Sequence, residues 1–175
     1  NCAKNLILRT NFYGFAPNFR NSSLADKIIN NLKKNNEAHL LDDVYFTPIS
    51  IDQFTQILIL LLDNYKTGTF NISGNQRITK YQFGYKIAKK FGFNKSFVKK
   101  LYLNQISNDV KRPREMGLSN IKIKKIINKN SLFDLSDGIT QLYKSYKSVY
   151  YKKIKTIKWK KEFYVQFQQE EVVKD

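Results

Sequence analysis

The stretch Leu6-Ile-Leu-Arg-Thr-Asn-Phe-Tyr-Gly14 decides the fold. It opens as an apolar run, turns polar at Arg9, Thr10 and Asn11, and breaks at Gly14. A short continuous apolar run fits a strand buried on both faces, as in a parallel sheet. Open α/β sheets hold their ligands just past the carboxyl ends of such strands, where this polar cluster falls. The run starts at the sixth residue, so most of its sheet is expected to come from elsewhere.

The chain has 175 residues, enough for one domain with a core. Residue 1 is Asn, which suggests processing or a piece of something longer. No charged segment leads into an apolar core at the amino end, so no secretory signal is read. The most apolar run, Ile57 to Leu62, falls far short of the ~20 residues of a membrane span. Cys2 is the single cysteine, which excludes an internal disulfide framework and fits a reducing cytosol. With His39 the single histidine, the residues argue against a zinc site.

Lys and Arg total 31 against 14 acids, a net charge of +17. Such an excess can mark a polyanion binder. Here the lysines are spread along the chain among Asn, Ile, Phe and Tyr, the mixture that codon bias in an AT-rich genome produces. A solvated basic surface is the simpler reading.

Downstream, Ser23 and Asp26 have capping-box spacing. They predict a helix with Leu24, Ile28, Ile29 and Leu32 on one face, ending near Lys33 to Asn36. Ala38–Leu41 is a short strand candidate and Asp42-Asp43 a turn. Residues 44–50 read as extended, with Pro48 holding Thr47 extended and arguing against a central strand. Ser50 and Gln53 form a second capping box. The helix it starts carries Phe54, Ile57, Leu58, Leu61 and Leu62, and its wide apolar arc predicts burial on more than one side. Residues 69–73 alternate like a strand. Thr79 and Gln82 form a third box, starting a helix with Phe83 and Ile87 inward and Gly92 as its stop. Residues 97–103 fit an edge strand, 111–119 a polar loop, and Ser119 the start of a short helix with Ile123, Ile126 and Ile127. Leu135, Ile139, Leu142, Tyr146 and Val149 mark a last helix. From Lys144 to Lys161 there are eight lysines and no acid.

Motifs exclude more than they assign. The seven glycines never fall two apart, so neither G-x-G-x-x-G nor a P-loop can be written. Tyr-x-x-x-Lys occurs at Tyr85/Lys89, Tyr143/Lys147 and Tyr151/Lys155. With so many Tyr and Lys, chance matches are expected. Asp42-Asp43 and Glu170-Glu171 read as turn or surface acids, and His39 as a half-buried strand residue. Arg9 and Arg112 each fit either a structural ion pair or a phosphate clamp.

Taken in order, several segments resemble the extended short-chain dehydrogenases/reductases. Leu8-Arg-Thr-Asn-Phe-Tyr-Gly14 resembles the strand and loop after that family's catalytic helix. Asp42-Asp-Val-Tyr-Phe-Thr-Pro-Ile-Ser-Ile-Asp52 is similar to its Asp, extended, Thr-Pro, Asp stretch. Gly68-Thr-Phe-Asn-Ile-Ser-Gly74 is similar to its Gly-x-Tyr/Phe-Asn/His-x-x-Gly strand. Residues 78–88 resemble the helix after it, and Arg112-Pro-Arg-Glu-Met-Gly-Leu-Ser-Asn120 its Arg-Pro loop. The most similar branch is the dTDP-4-dehydrorhamnose reductase-like sugar-nucleotide reductases, and the resemblance covers residues 5–148.

The resemblance implies an α/β fold. It would be the carboxyl-terminal part of a Rossmann-type enzyme, with late parallel strands and a small mixed α/β substrate lobe built mostly from residues 15–36 and 75–130. Residues 1–148 would form that substrate-binding half, with 149–175 a basic aromatic tail without a counterpart. The glycine fingerprint and the catalytic Tyr-x-x-x-Lys helix would lie before Leu6 and are not in this chain. NAD or NADP would therefore be held mainly by an amino-terminal half, with Thr10 and Asn11 edging the nicotinamide. Arg9, Phe12, Tyr13, Thr47, Pro48 and Arg112 would contact a nucleotide-sugar substrate. No catalytic residue is expected in the chain, and alone it is expected to be inactive. A homodimer is left open, a membrane role is not expected, and the cytosol is the expected compartment.

Two other readings compete. One is a non-catalytic relative, as the regulatory subunit of methionine adenosyltransferase resembles this family and serves as a binding partner. The other is a nucleic-acid binder resting on the lysine- and aromatic-rich residues 143–161; it ranks last.

Overall fold

A computed structural model describes residues 5–16, 22–106, 113–127 and 129–148. The chain divides into two units, Asn1–Tyr143 and Lys144–Asp175. All elements below lie in the first unit, apart from the last turn of the final helix. Arg112 and the basic tail lie outside the described residues.

Strand β1 (Leu6–Thr10) pairs in parallel with β6 (Gly68–Ile72), Leu6 against Gly68 and Thr10 against Ile72. Strand β2 (Phe12–Tyr13) continues the chain and pairs in parallel with β5 (Ile49–Ser50). Strand β3 (Ala38–Leu41) pairs in parallel with β8 (Val98–Leu101). Strand β4 (Tyr45–Phe46) lies between β7 (Ile78–Thr79), antiparallel, and β9 (Glu115–Met116), parallel. Among the described residues all pairings but one are parallel, the signature of an α/β architecture with crossover connections.

The helices start where their caps lie. Helix α1 (Leu24–Lys33), α2 (Ile51–Asp63) and α3 (Lys80–Phe91) begin at Ser23, Ser50 and Thr79, each with both bonds of the capping box formed. Each cap contributes about 1 kcal/mol. Helix α3 stops at Gly92, whose φ of 73° is left-handed. Helix α4 (Ile121–Lys124) starts later than the expected Ser119: its N-cap residue is Asn120, whose side chain donates to Ser73 O and does not cap the helix. Helix α5 (Leu135–Lys147) buries Leu135, Ile139 and Leu142, as its spacing predicts.

One core cluster gathers Ile49, Ile57, Leu61, Phe70, Ile72, Ile123, Ile127, Leu132 and Phe133. Leu6 and Leu8 pack on it from β1. Around α1 and α3, Ala25, Ile28, Ile29, Leu32, Phe83 and Ile87 are also buried.

Three expectations are corrected. Strand β1 is not buried on both faces: Leu6 and Leu8 turn inward while Ile7 is 54% exposed and Arg9 is exposed. Helix α2 buries one side alone, Gln53, Ile57 and Leu61, and leaves Ile59 and Leu62 open. No described element covers these outer faces. His39 is exposed rather than half-buried, because it takes the outer position of β3 and pairs with Glu37. No described helix is long and apolar enough to cross a membrane.

Candidate functional site

The polar residues that follow β1 and β6 converge on one segment, Met116 to Asn120. The Asn11 Nδ2 donates to the Met116 carbonyl at 2.7 Å, while the Asn11 backbone carbonyl accepts from Ile49 N. Thr47 is buried at the kink that Pro48 puts between β4 and β5. Its Oγ1 accepts from Leu118 N at 3.0 Å. The Ser73 hydroxyl donates to the Leu118 carbonyl at 2.8 Å. Asn71 Nδ2 donates to Ser119 O, and Asn120 Nδ2 to Ser73 O at 2.9 Å. Four side chains, Asn11, Thr47, Asn71 and Ser73, together with the segment's own Asn120, thus fasten the segment that follows the Arg-Pro loop across the strand ends. Gly74 makes this fit possible, since a Cβ there would lie 2.2 Å from the Pro48 carbonyl oxygen.

The strand that leads into this segment is fixed from outside. Glu115 accepts from Arg77 Nε at 2.7 Å and from Gly117 N at 2.8 Å. The Arg77 hydrogen bond, then the Gly117 amide, holds its carboxyl below the usual range. The Arg77 guanidinium lies 3.6 Å over the Tyr45 ring. Arg114 faces Asp43 at 3.7 Å.

The residues singled out from sequence fall into distinct places. Arg9 lies near the end of β1, exposed, opposite Asn71, with no ion pair among the described residues. Thr10 Oγ1 is buried and without a hydrogen-bond partner among the described residues. Phe12 presents a ring 57% exposed, backed by Phe54 at 5.8 Å. Thr47 and Pro48 form a buried wall. Tyr13 is buried: at 3% exposure it packs edge-on against Phe83 at 4.8 Å. Its phenol is pushed far above its ordinary range by burial, then by Asp134 and Asp52. Arg9, Thr10, Asn11, Phe12, Thr47 and Pro48 therefore belong to one neighbourhood, and Tyr13 lies behind it.

Sequence reasoning passed over Asn71, Ser73, Asn120 and the Arg77–Glu115 pair. The signal for the first two was present: polar side chains near the end of an otherwise apolar strand, with a glycine next.

A parallel α/β unit with polar side chains gathered past its strand ends is a ligand-binding architecture. Residues 1–147 match the RmlD substrate binding domain family, and the chain belongs to that family. Its fold is also that of a dTDP-4-dehydrorhamnose reductase from Clostridium acetobutylicum, with a TM-score of 0.67 at 20% identity over 82% of this chain and 49% of that one. A dTDP-4-dehydrorhamnose reductase from Bacillus anthracis, solved in complex with NADP, gives 0.67 at 16% identity over 80% and 48%. A UDP-N-acetylglucosamine 4-epimerase from Bacillus cereus gives 0.60 at 16% identity over 82% and 46%. The chain spans about half the length of these structures. No curated protein sequence matches it.

Proposed function

We propose that this chain is the substrate-binding portion of an NAD(P)-dependent sugar-nucleotide reductase of the dTDP-4-dehydrorhamnose reductase type, acting in nucleotide-sugar and surface-polysaccharide synthesis in the cytosol. The observation that carries the reading is the family match over residues 1–147, joined to the polar cluster at the ends of β1 and β6.

In this reading the exposed Phe12 ring stacks on the substrate. The free Arg9 guanidinium and Arg112 meet its phosphates, where a planar fork suits paired oxygens. Thr47 and Pro48 keep the wall rigid, since the Thr47 hydroxyl is spent on Leu118 N and its carbonyl on Gly74 N, while the Pro48 carbonyl packs against Gly74.

The described residues fit only one edge of a nicotinamide dinucleotide. Thr10 offers a buried hydroxyl without a partner among them, and Asn11 lies beside it. No glycine-rich backbone is present in the sequence to cradle the pyrophosphate. In this reading the groups that carry the chemical step lie outside this chain.

The test is calorimetry of the chain with dTDP and with a dTDP-sugar. Saturable binding, weakened on the order of tenfold by Arg112→Ala, is expected when a charge-assisted phosphate hydrogen bond is removed. Equal affinity in the variant would remove the Arg112 assignment. The chain alone should not oxidise NADPH in the presence of a 4-keto sugar nucleotide.

A further inference from the structure

Charge is distributed more unevenly in this molecule than its spread of lysines suggests. Between Asp63 and Asp109 there is no acidic residue, against nine Lys and Arg. The middle of that stretch is α3, whose inner face is Phe83, Gly84, Ile87 and Ala88. Its outer face carries Tyr81, Gln82, Tyr85, Lys86, Lys89 and Lys90. This face lines two adjoining hollows. One, of about 710 Å³, lies between Tyr81, Tyr85, Lys86, Lys89 and the Gln76–Ile78 segment. The other, of about 370 Å³, lies between Lys86, Lys89, Lys90 and Ser136, Ile139 and Thr140 of α5. Lys86 and Lys89 line both, so the two hollows meet along these side chains.

The outer face of α3 joins stacking surface to uncompensated charge. The Tyr81 and Tyr85 rings lie one helical turn apart, centroids 6.4 Å, tilted by 38°. Lys100 Nζ sits 5.0 Å over Tyr81 and Lys95 Nζ 5.6 Å over Tyr85, which places an ammonium beside each ring. Elsewhere in the acid-free stretch Arg77 pairs with Glu115, Lys99 with Glu37 and Lys100 with Asp42. Lys86, Lys89, Lys90 and Lys95 have no ion pair among the described residues. The Gln82 Oε1 is occupied by the Thr79 amide, which leaves the Gln82 NH₂ as the free end of that side chain.

We propose that the outer face of α3 is a platform for single-stranded nucleic acid. Unpaired bases stack on Tyr81 and Tyr85, and the backbone runs along Lys86, Lys89 and Lys90 toward α5. Such pairing of aromatic faces with a basic groove binds single strands with little regard to sequence. A duplex hides its base faces from the rings. An acidic sugar chain would be held by charge without needing the rings. The Tyr85/Lys89 spacing, which resembles a dehydrogenase acid–base pair, is on this account a base-and-phosphate contact.

The test is fluorescence anisotropy of the 175-residue chain with a labelled oligothymidylate of about twelve nucleotides, within the span one such site covers. Binding at about 50 mM salt is expected, falling as salt rises. Tyr85→Ala should weaken it about 5- to 100-fold without altering the salt slope, the range for one unstacked base. Tyr85→Phe should restore it. Lys86→Gln with Lys89→Gln should flatten the slope by about 1.4, roughly 0.7 for each phosphate that is no longer neutralised. The proposal is overturned by no binding at low salt or by an unchanged affinity of Tyr85→Ala, which would assign binding to the lysine-rich residues 144–161. A heparin fragment that binds equally well and is weakened as much by Tyr85→Ala would overturn it in favour of an acidic polysaccharide.

Discussion

The Tyr13 hydroxyl is enclosed with no hydrogen-bond partner among the described residues, in a space that Gly138 leaves open. An unpaired buried hydroxyl costs about 1–3 kcal/mol, so Tyr13→Phe should stabilise the chain by about 1 kcal/mol in urea melts. Burial raises the pKa of this phenol above its unfolded value of about 10. Stability from that neutral phenol is complete below about pH 10 and is lost as pH rises further, when the unfolded chain ionises first. Tyr13→Phe should therefore move the alkaline unfolding midpoint upward, and an unmoved midpoint would show that other groups set it. Glu115 has the opposite sign. Its carboxyl is held low by Arg77, so its contribution is present above the ordinary Glu range near 4.3 and fades as pH falls below it. Asn11 illustrates what a residue-by-residue reading misses. Its polarity and position after β1 were legible, but its partner, Met116, lies 105 residues away. Asn11→Ala should cost about 1 kcal/mol, leaving a carbonyl unpaired, and should weaken nucleotide-sugar binding through the loosened segment.

At the level of elements, what is local was legible and what depends on distant packing was not. The three capping boxes were visible because each is complete within four residues, and Ser50→Ala should cost about 1 kcal/mol. The positions of β1, β3, β6 and β8 also followed from apolar runs, alternation and turn residues, whereas the stretch 111–119, expected as a polar loop, holds β9. The exposed sides of β1 and α2 did not, because an apolar residue signals a tendency to be buried without saying which neighbour buries it. The role of Gly74 was likewise hidden. It read as a turn residue, while the structure shows its missing Cβ making room for the Pro48 carbonyl. Gly74→Ala should unfold the β4–β5 kink or cost about 3 kcal/mol or more, as forced overpacking against backbone does. A melt within about 0.5 kcal/mol of the parent, the range of neutral surface changes, would contradict that close approach.

For the molecule as a whole, the ordered set of weak resemblances and the family match agree on the same stretch, residues 5–148 from the one and 1–147 from the other. The proposed nucleotide-sugar site joins the end of β1 to the Met116–Asn120 segment. Amide chemical shifts of the isotopically labelled chain, followed while a dTDP-sugar is added, test this most directly. Saturable shifts are expected at Arg9 to Phe12, Thr47 and Met116 to Leu118, with α3 unmoved. Shifts confined to the lysines of α3, or none at saturating ligand, would contradict it.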